Sequence, residues 1–274
     1  MKPAFIYIGP DKSGSSWLYE MLRQHPRCHL PAAKDLYFFD RYYERGWDWY
    51  ARQLGSAAPG TLVGEVCHDY LFSPQAAQRI AADLPGVRLL TILRDPVERA
   101  HSHWLYMRRN GRTQASFEEA LDRHPQLIDN GLYGRHLQPW FDRCGRERLG
   151  VFWFDQLQRS PRELALAILG FLGLEDPGSI DYDRQVRAAA APRSPALARL
   201  AKNTATTLRE AGFPNLLGRI KHAELTQRLY RPYAPGERPA IDPATRRQLQ
   251  QRFAPDLAQL RELLGAQGPA WMHP

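Results

Sequence analysis

The sequence predicts an α/β fold, in which an open, P-loop-like parallel sheet carries helices on both faces. Short apolar runs alternate along the chain with longer segments of helical periodicity, and this alternation is typical of parallel strands joined by helical crossovers. Two of the apolar runs end in turns of small or polar residues, the position at which open α/β sheets bind ligands. With 274 residues, 43% of them hydrophobic, the chain can bury a large core.

The predicted elements follow one another in a regular order. Strands are expected near residues 4–9, 61–66, 87–93 and 148–154, where apolar and β-branched residues are concentrated. Helices are expected near residues 15–25, 74–83, 96–109, 117–123, 132–143 and 161–172, and again near 195–210 and 243–264. Asp95-Pro96 and Ser160-Pro161 have the residue types of a helix cap and a first helical residue. We expect one domain over residues 1–274, with an irregular lid-like or binding segment at about 187–240.

Composition narrows the class of protein. The formal net charge of +8 favours an anionic ligand, but Lys and Arg are scattered, which argues against a nucleic-acid surface. No apolar run approaches the roughly 20 residues of a transmembrane helix. Met1-Lys2-Pro3 leads directly into the first predicted strand without a signal peptide, so we expect a cytoplasmic protein. The three cysteines have neither disulfide nor metal-ligand spacing, and the Ala, Arg and Pro content suggests a bacterial source.

Small residues and a lysine separate the first predicted strand from the first helix, in the run Gly9-Pro10-Asp11-Lys12-Ser13-Gly14-Ser15-Ser16. Backbone N–H groups at a helix start, with a nearby Lys, form a phosphate-binding turn. In P-loop triphosphatases the Lys follows the second Gly, as G-x-x-x-x-G-K-[ST], whereas Lys12 precedes Gly14. The order argues against an ATP or GTP hydrolase and favours a different nucleotide. A Ser/Gly turn that only caps a helix is the alternative.

A second polar motif follows the predicted strand at 87–93. The run Arg94-Asp95-Pro96-Val97-Glu98-Arg99-Ala100-His101-Ser102 places Arg94 at the carboxyl end of that strand and Ser102 about two turns into the next helix. A planar guanidinium can bind a phosphate through two hydrogen bonds. A surface Arg and an ordinary helix Ser are the alternative for this motif alone. Two such motifs after two buried strands favour a nucleotide site.

Together the motifs resemble those of sulfotransferases that use 3′-phosphoadenosine 5′-phosphosulfate (PAPS). The run from Lys12 to Ser16 is similar to their K-[ST]-G-[ST]-[ST] loop for the 5′-phosphosulfate, and Arg94 and Ser102 match the R-D-P-x-x-R-A-x-S motif that holds the 3′-phosphate. Further segments resemble the heparan sulfate N-/3-O-sulfotransferase branch and its bacterial relatives: 34–40, 46–50, 131–140, 171–174 and 263–271. The resemblance covers nearly the whole chain and is weakest from about 187 to 240.

The resemblance implies a sulfotransferase fold and a PAPS site. The cofactor-binding residues that it implies are Lys12, Ser13, Gly14, Ser15, Ser16, Trp17, Arg94 and Ser102. Arg193 is added by its position, because the late basic loop of the heparan branch has no match here. Lys12 is also expected to act as a catalytic cation near the leaving 5′-phosphate. The product would be adenosine 3′,5′-bisphosphate (PAP), and no metal is expected.

The base that accepts the acceptor's proton has two candidates. The run Thr61–Tyr70 is similar to an E-K-[ST]-x-x-Y segment whose Glu serves as base in the heparan branch, which implies this role for Glu65. Val66 and Cys67 replace the usual Lys and Ser/Thr, so part of the expected charge network is missing. His68 is the rival, because neutral imidazole is a good base near pH 7 and the cytosolic sulfotransferases use His. A structural role for both residues is the third option.

The acceptor is the least determined part of the prediction. The candidate substrate-binding residues are Lys34, Tyr37, Phe38, Trp49 and Tyr133, although a solvated Lys and an aromatic core cluster are the alternatives. We expect a hydroxyl, less favourably an amine, on a small molecule, lipid or carbohydrate, as in natural product biosynthesis. A P-loop nucleotide kinase or phosphotransferase and an inactive nucleotide-binding module are the alternative functions. The oligomeric state stays open.

Overall fold

A five-stranded parallel sheet forms the centre of the protein. The computed structural model describes residues 1–184, 190–192, 203–204, 206–207, 210–212, 215, 230–232, 237–265 and 268–273. The strands are β1 (Phe5–Gly9), β2 (Cys28–His29), β3 (Leu62–Val66), β4 (Arg88–Leu93) and β5 (Leu149–Trp153), in the spatial order β2-β3-β1-β4-β5. All four strand pairs are parallel. A separate antiparallel pair joins β6 (Ala190–Pro192) to β7 (Tyr230–Pro232).

Helices connect the strands. They are α1 (Ser15–Arg23), α2 (Phe38–Arg41), α3 (Gly46–Leu54), α4 (Pro74–Asp83), α5 (Pro96–Arg109), α6 (Phe117–Arg123), α7 (Gln126–Asp129), α8 (Tyr133–Cys144), α9 (Phe154–Arg159), α10 (Pro161–Leu172) and α11 (Pro243–Leu264). The predicted α/β class is confirmed, and its four strands agree with β1, β3, β4 and β5. The two-residue edge strand β2 was not predicted. The predicted helix at 195–210 and most of the segment at 187–240 lie outside the described residues.

The two faces of the sheet pack against different helices because neighbouring strand residues point in opposite directions. In β1, Phe5 and Tyr7 join a buried cluster with residues of α1 and α10, whereas Ile6 and Ile8 join a second cluster with residues of α4, α5, α8 and α11. The near-continuous burial of β1 is typical of a central parallel strand. Both faces are therefore covered, and ligands can reach the sheet at the ends of its strands.

Helix α11 packs along α8 at close range. A Cβ at Gly134 would lie 2.5 Å from the backbone oxygen of Asp256, so only glycine permits this approach. The Asp256 carboxylate accepts hydrogen bonds of 2.8 Å from the backbone N–H groups of Gly134 and Arg135. It thereby supplies the N-terminal cap that Leu132 does not provide for α8.

No helix among the described residues combines the length and the apolar character needed to span a bilayer.

Candidate active site

The predicted phosphate-binding run at residues 9–16, here called the phosphate loop, leads from the end of β1 into the first turn of α1, at the carboxyl end of the central strand. Gly14 precedes α1 with a φ of +95°, a conformation that favours glycine, and Lys12 also has a positive φ of +64°. Ser13 is buried in the turn. No side chain among the described residues caps the first turn of α1, so its N–H groups are available to an anion. Trp17 is directed into the core, where its Nε1 donates to the carbonyl of Tyr182 at 3.0 Å.

Arg94 brings the second predicted motif to this loop. It follows β4, the neighbour of β1, and its Nη1 donates a 3.1 Å hydrogen bond to the backbone carbonyl of Lys12. The guanidinium also lies 4.5 Å from the ring centroid of Phe154 and 3.8 Å from a carboxylate oxygen of Glu98. Ser102 is half-buried on α5, in the helix that Arg94 and its neighbours begin. The two motifs thus meet at adjacent strand ends.

Two lysines place positive charge beside the start of α1. The Nζ of Lys12 lies 4.5 Å from the ring centroid of Tyr106, and burial lowers the pKa of Lys12 to about 8. The Nζ of Lys34 donates a 2.9 Å hydrogen bond to the hydroxyl of Ser15, in the first turn of α1. Lys34 therefore lies at the phosphate loop itself. Ser16, the next residue of the loop, is half-buried.

A carboxylate, Asp11, lies within the same loop, and neighbouring basic side chains stabilise its ionised form. Its Oδ1 is 3.2 Å from Nη1 of Arg99, and its Oδ2 is 3.0 Å from Nδ1 of His103. Burial alone would raise the pKa of Asp11, but His103 and Arg99 outweigh it and lower that pKa to about 2. Arg99 is fully buried and also donates to the carbonyl of Leu127 at 2.5 Å. It thus ties the phosphate loop to α5 and α7.

Glu65, one of the two candidate bases, is sealed inside the protein. It has no exposed surface, and its two oxygens accept hydrogen bonds from Tyr50 at 2.5 Å and Tyr70 at 2.8 Å. Burial raises the pKa of Glu65 to about 8, although the two tyrosine hydroxyls oppose this shift. The Tyr70 hydroxyl also accepts from the backbone N–H of Phe38 at 2.8 Å. Glu65 is therefore the centre of a buried polar network.

His68, the other candidate, lies nearer the surface between two carboxylates. Its Nδ1 is 2.5 Å from Oδ1 of Asp35, and its Nε2 is 3.2 Å from Oδ1 of Asp69. Burial opposes the charged imidazolium, but Asp35 and Asp69 outweigh this effect, and the pKa of His68 is raised. A quarter of the His68 side chain is exposed.

The candidate acceptor residues occupy different surroundings. Phe38 is fully buried and stacks on Tyr50 with ring centroids 4.3 Å apart, so in this structure it belongs to the core. Tyr37 and Trp49 are also buried, and their predicted contact with an acceptor stays a prediction. Tyr133 is buried and donates its hydroxyl to the carbonyl of Arg94 at 2.7 Å, which places it behind the cofactor motif. Among the predicted residues, Arg193 lies outside the described part.

Sequence reasoning did not identify several residues of this region. Asp35 and Asp69 contact His68, and Arg99 contacts Asp11. Arg238 lies close enough to add to the effect of burial in lowering the pKa of Arg94. Arg99 could have been identified from the sequence, because it is the second Arg of the Arg94–Ser102 motif. The other contacts join distant parts of the chain. No group of three or more His, Cys, Asp or Glu side chains in the described ranges could hold a metal ion.

Most of the chain is similar to known proteins. The family model of the sulfotransferase domain matches residues 2–209. Mouse heparan sulfate glucosamine 3-O-sulfotransferase 3B1 is 31% identical over 182 residues, which make up 63% of this chain and 46% of that protein. This chain spans about half or less of the length of the curated relatives that it matches.

Solved structures share the fold. A sulfotransferase from Alicyclobacillus acidocaldarius is 24% identical, with 99% of each chain covered and a TM-score of 0.73. Mouse sulfotransferase SULT7A1, solved in complex with PAP, is 14% identical, with 97% of this chain and 89% of that chain covered and a TM-score of 0.50. At these identities the likeness concerns the fold alone. The match of the family model to most of the chain shows that it belongs to the sulfotransferase domain family.

Proposed function

We propose that this protein transfers a sulfuryl group from PAPS to a hydroxyl, less favourably an amine, of a small molecule, lipid or carbohydrate by in-line displacement. One observation carries the proposal: Arg94 and the Lys12 loop meet at the carboxyl ends of the neighbouring strands β4 and β1, joined by a 3.1 Å hydrogen bond. Two anion-binding motifs this close suit the two phosphate groups of one nucleotide. Open α/β sheets bind nucleotides at this edge.

The residues present fit such a nucleotide. The uncapped first turn of α1, with Ser15 and Ser16, would hold the 5′-phosphosulfate, and Lys12 lies in the preceding turn. Arg94 and Ser102 would hold the 3′-phosphate. When bound, PAPS supplies an activated sulfuryl group and a phosphate leaving group. Asp11 would repel this polyanion, but its pairing with Arg99 offsets its charge.

Electrostatics and positioning would provide most of the catalysis, as in phosphoryl transfer. Negative charge develops on the leaving phosphate, and the Lys12 ammonium would stabilise it at pH values below the Lys12 pKa of about 8. Lys34 adds a second ammonium at Ser15. The base must reach the acceptor, and the complete burial of Glu65 favours His68 for this role.

Differences between this chain and its relatives bear on the acceptor class. The name of the mouse relative specifies glucosamine in heparan sulfate, but that protein is more than twice as long as the matched part and the late basic loop of its branch is not found here. We therefore favour a smaller hydroxylated acceptor, such as a natural product intermediate, over a polysaccharide. A cytoplasmic location is part of this proposal.

Ligand binding tests the cofactor. PAP should raise the melting temperature and bind with micromolar or better affinity, whereas ATP with magnesium should not. The Arg94→Gln variant should weaken PAP binding by at least tenfold, and Arg123→Gln, on the exposed end of α6, is the matched control. Stabilisation by ATP and not by PAP would contradict the proposal and favour a phosphotransferase.

An acceptor screen tests the reaction. The protein with PAPS and pools of hydroxylated metabolites should give products whose mass is increased by one SO₃, together with one PAP per product. PAP binding with no PAPS consumption under any condition would indicate an inactive nucleotide-binding module.

A further inference from the structure

Asp35 is held in place at the end of strand β3. It lies in the loop between β2 and α2 with a φ of +65°, a left-handed conformation that Asp adopts more readily than most residues. Its backbone N–H donates a 2.8 Å hydrogen bond to the carbonyl of Val66, the last residue of β3. Its carboxylate accepts from the backbone N–H of His68 at 3.3 Å. The loop is thereby fixed to the strand at the point where His68 follows it.

The same carboxylate orients the imidazole of His68. Asp35 is almost completely buried, with 6% of its side chain exposed, and its Oδ1 lies 2.5 Å from Nδ1 of His68. When the imidazole is neutral, this shorter of its two carboxylate contacts keeps the remaining proton on Nδ1 and leaves the lone pair on Nε2. Nε2 lies 3.2 Å from Asp69, whose side chain is more exposed and also pairs with Arg41. Asp69 can therefore keep its pairing with Arg41 when an acceptor hydroxyl takes the place of the Asp69 carboxylate at Nε2 of His68.

Asp35 and His68 lie beside the phosphate loop. Lys34, the residue before Asp35, connects it to that loop through Ser15, and its Nζ is 3.8 Å from Oδ2 of Asp35. The charge of His68 also lowers the pKa values of Asp11 and His103, two groups at the loop. The titratable groups that interact with His68 are thus Asp35, Asp69, Lys34, Asp11 and His103. Only the first two stabilise its charged form strongly.

We propose that Asp35 is a positioning residue: it forms a dyad with His68 and keeps Nε2 of His68 free to act as the base of the proposed reaction. The inference rests on the proposed sulfotransferase function. The acceptor O–H proton passes to the Nε2 lone pair while the acceptor oxygen forms its bond to sulfur. The bond between sulfur and the bridging oxygen of the 5′-phosphate breaks, and its electron pair leaves with PAP. The proton later passes from Nε2 to solvent, and no oxidant or metal is needed.

Glu65 lies only three residues before His68 but has different surroundings. It has no exposed surface, and both of its oxygens are occupied by Tyr50 and Tyr70. If His68 is the base, Glu65 has a structural role, as the centre of a buried hydrogen-bond network with Tyr50 and Tyr70. Experiments on variants of His68 and Asp35 can therefore distinguish between the two candidate bases.

Hydrolysis of PAPS, with water as the acceptor, provides a test that needs no identified substrate. PAP release should fall at least 10²-fold in His68→Gln and at least tenfold in Asp35→Asn. In Asp35→Asn the acid limb of the pH–rate profile should also move to lower pH, because the imidazole loses a neighbouring negative charge. A merely structural Asp35 would not move this limb. Asp83→Asn is the matched control, since Asp83 contacts Lys2 and Tyr43 near the amino ends of the strands.

Histidine NMR gives a second readout in the PAP complex. In ¹⁵N-histidine-labelled protein, the resonance that disappears in His68→Gln should show a tautomer protonated on Nδ1 at pH values above the pKa of His68, and this pKa should fall in Asp35→Asn. Near-normal PAP release in His68→Gln, or an unchanged His68 titration in Asp35→Asn, would overturn the dyad. Failure of the wild-type protein to bind PAP would instead contradict the sulfotransferase function, so the two failures are distinguishable.

Discussion

The hydroxyl of Tyr133 donates a 2.7 Å hydrogen bond to the backbone carbonyl of Arg94. This bond joins the first residue of α8 to the residue that directly follows β4, and Tyr133 is completely buried. Arg94 reaches the Lys12 carbonyl from the same backbone position. The orientation of the guanidinium therefore depends on a side chain from a helix that starts 39 residues later.

Removing this hydroxyl should weaken nucleotide binding. In Tyr133→Phe the partly buried Arg94 carbonyl loses its partner, which costs about 0.5–1.5 kcal/mol of folding stability, and we expect PAP to bind about threefold to tenfold less tightly. Isothermal titration with PAP and a thermal melt check both effects. Tyr43→Phe is the control, because its hydroxyl binds Asp83 outside the site. Unchanged PAP affinity with reduced stability would show that Tyr133 acts on the core alone.

Nucleotide binding should also depend on the protonation of Lys12. Burial lowers the pKa of Lys12 to about 8, so its ammonium is present below this pH and is lost as the pH rises through it. PAP affinity measured by titration should therefore decline from pH 7 to 9.5. In Lys12→Gln binding should be weaker at pH 7 and should lack this decline. Lys2→Gln, which changes an exposed lysine, should behave as the wild type does.

The buried Glu65 should make stability depend on pH. Its folded pKa of about 8 exceeds the ordinary value of 4.5, so the folded state holds a proton that the unfolded state releases between these values. Its contribution is fully present below pH 4.5 and declines towards pH 8, by at most about 1.4 kcal/mol per pH unit. Glu65→Gln should flatten this decline in urea unfolding experiments, whereas the exposed control Glu163→Gln should not. An equal slope in Glu65→Gln would contradict a protonated Glu65.

The carboxylate of Asp256 should contribute measurably to folding. Asp256→Ala removes two hydrogen bonds and a negative charge from the start of α8, and should lower the free energy of unfolding by about 1–3 kcal/mol. Urea denaturation measures this loss. Asp142→Ala, which changes an exposed carboxylate near the end of the same helix, should stay within about 0.5 kcal/mol. A similar loss in both variants would indicate a general effect on α8.

The sequence was most informative where the chemistry is local. The Lys12 loop and the Arg94 motif each follow a buried strand within a few residues, so composition and order were sufficient to locate them. The contact between Asp35 and His68 joins residues 33 positions apart and depends on how β2 pairs with β3. Composition could not separate an acceptor wall from a core for Phe38, because aromatic residues are typical of both.

The family model ends at residue 209, yet helix α11 begins only at Pro243. This late helix supplies Asp256 to α8, and its Arg246 pairs with Glu98, the carboxylate that also lies 3.8 Å from Arg94. A fragment that ends at residue 209 would keep the complete sequence of both motifs but would lose the contacts of Asp256 and Arg246. The segment that the family model matches is thus shorter than the segment that folds as one unit around the two motifs. A shortened protein made for expression should therefore still include α11.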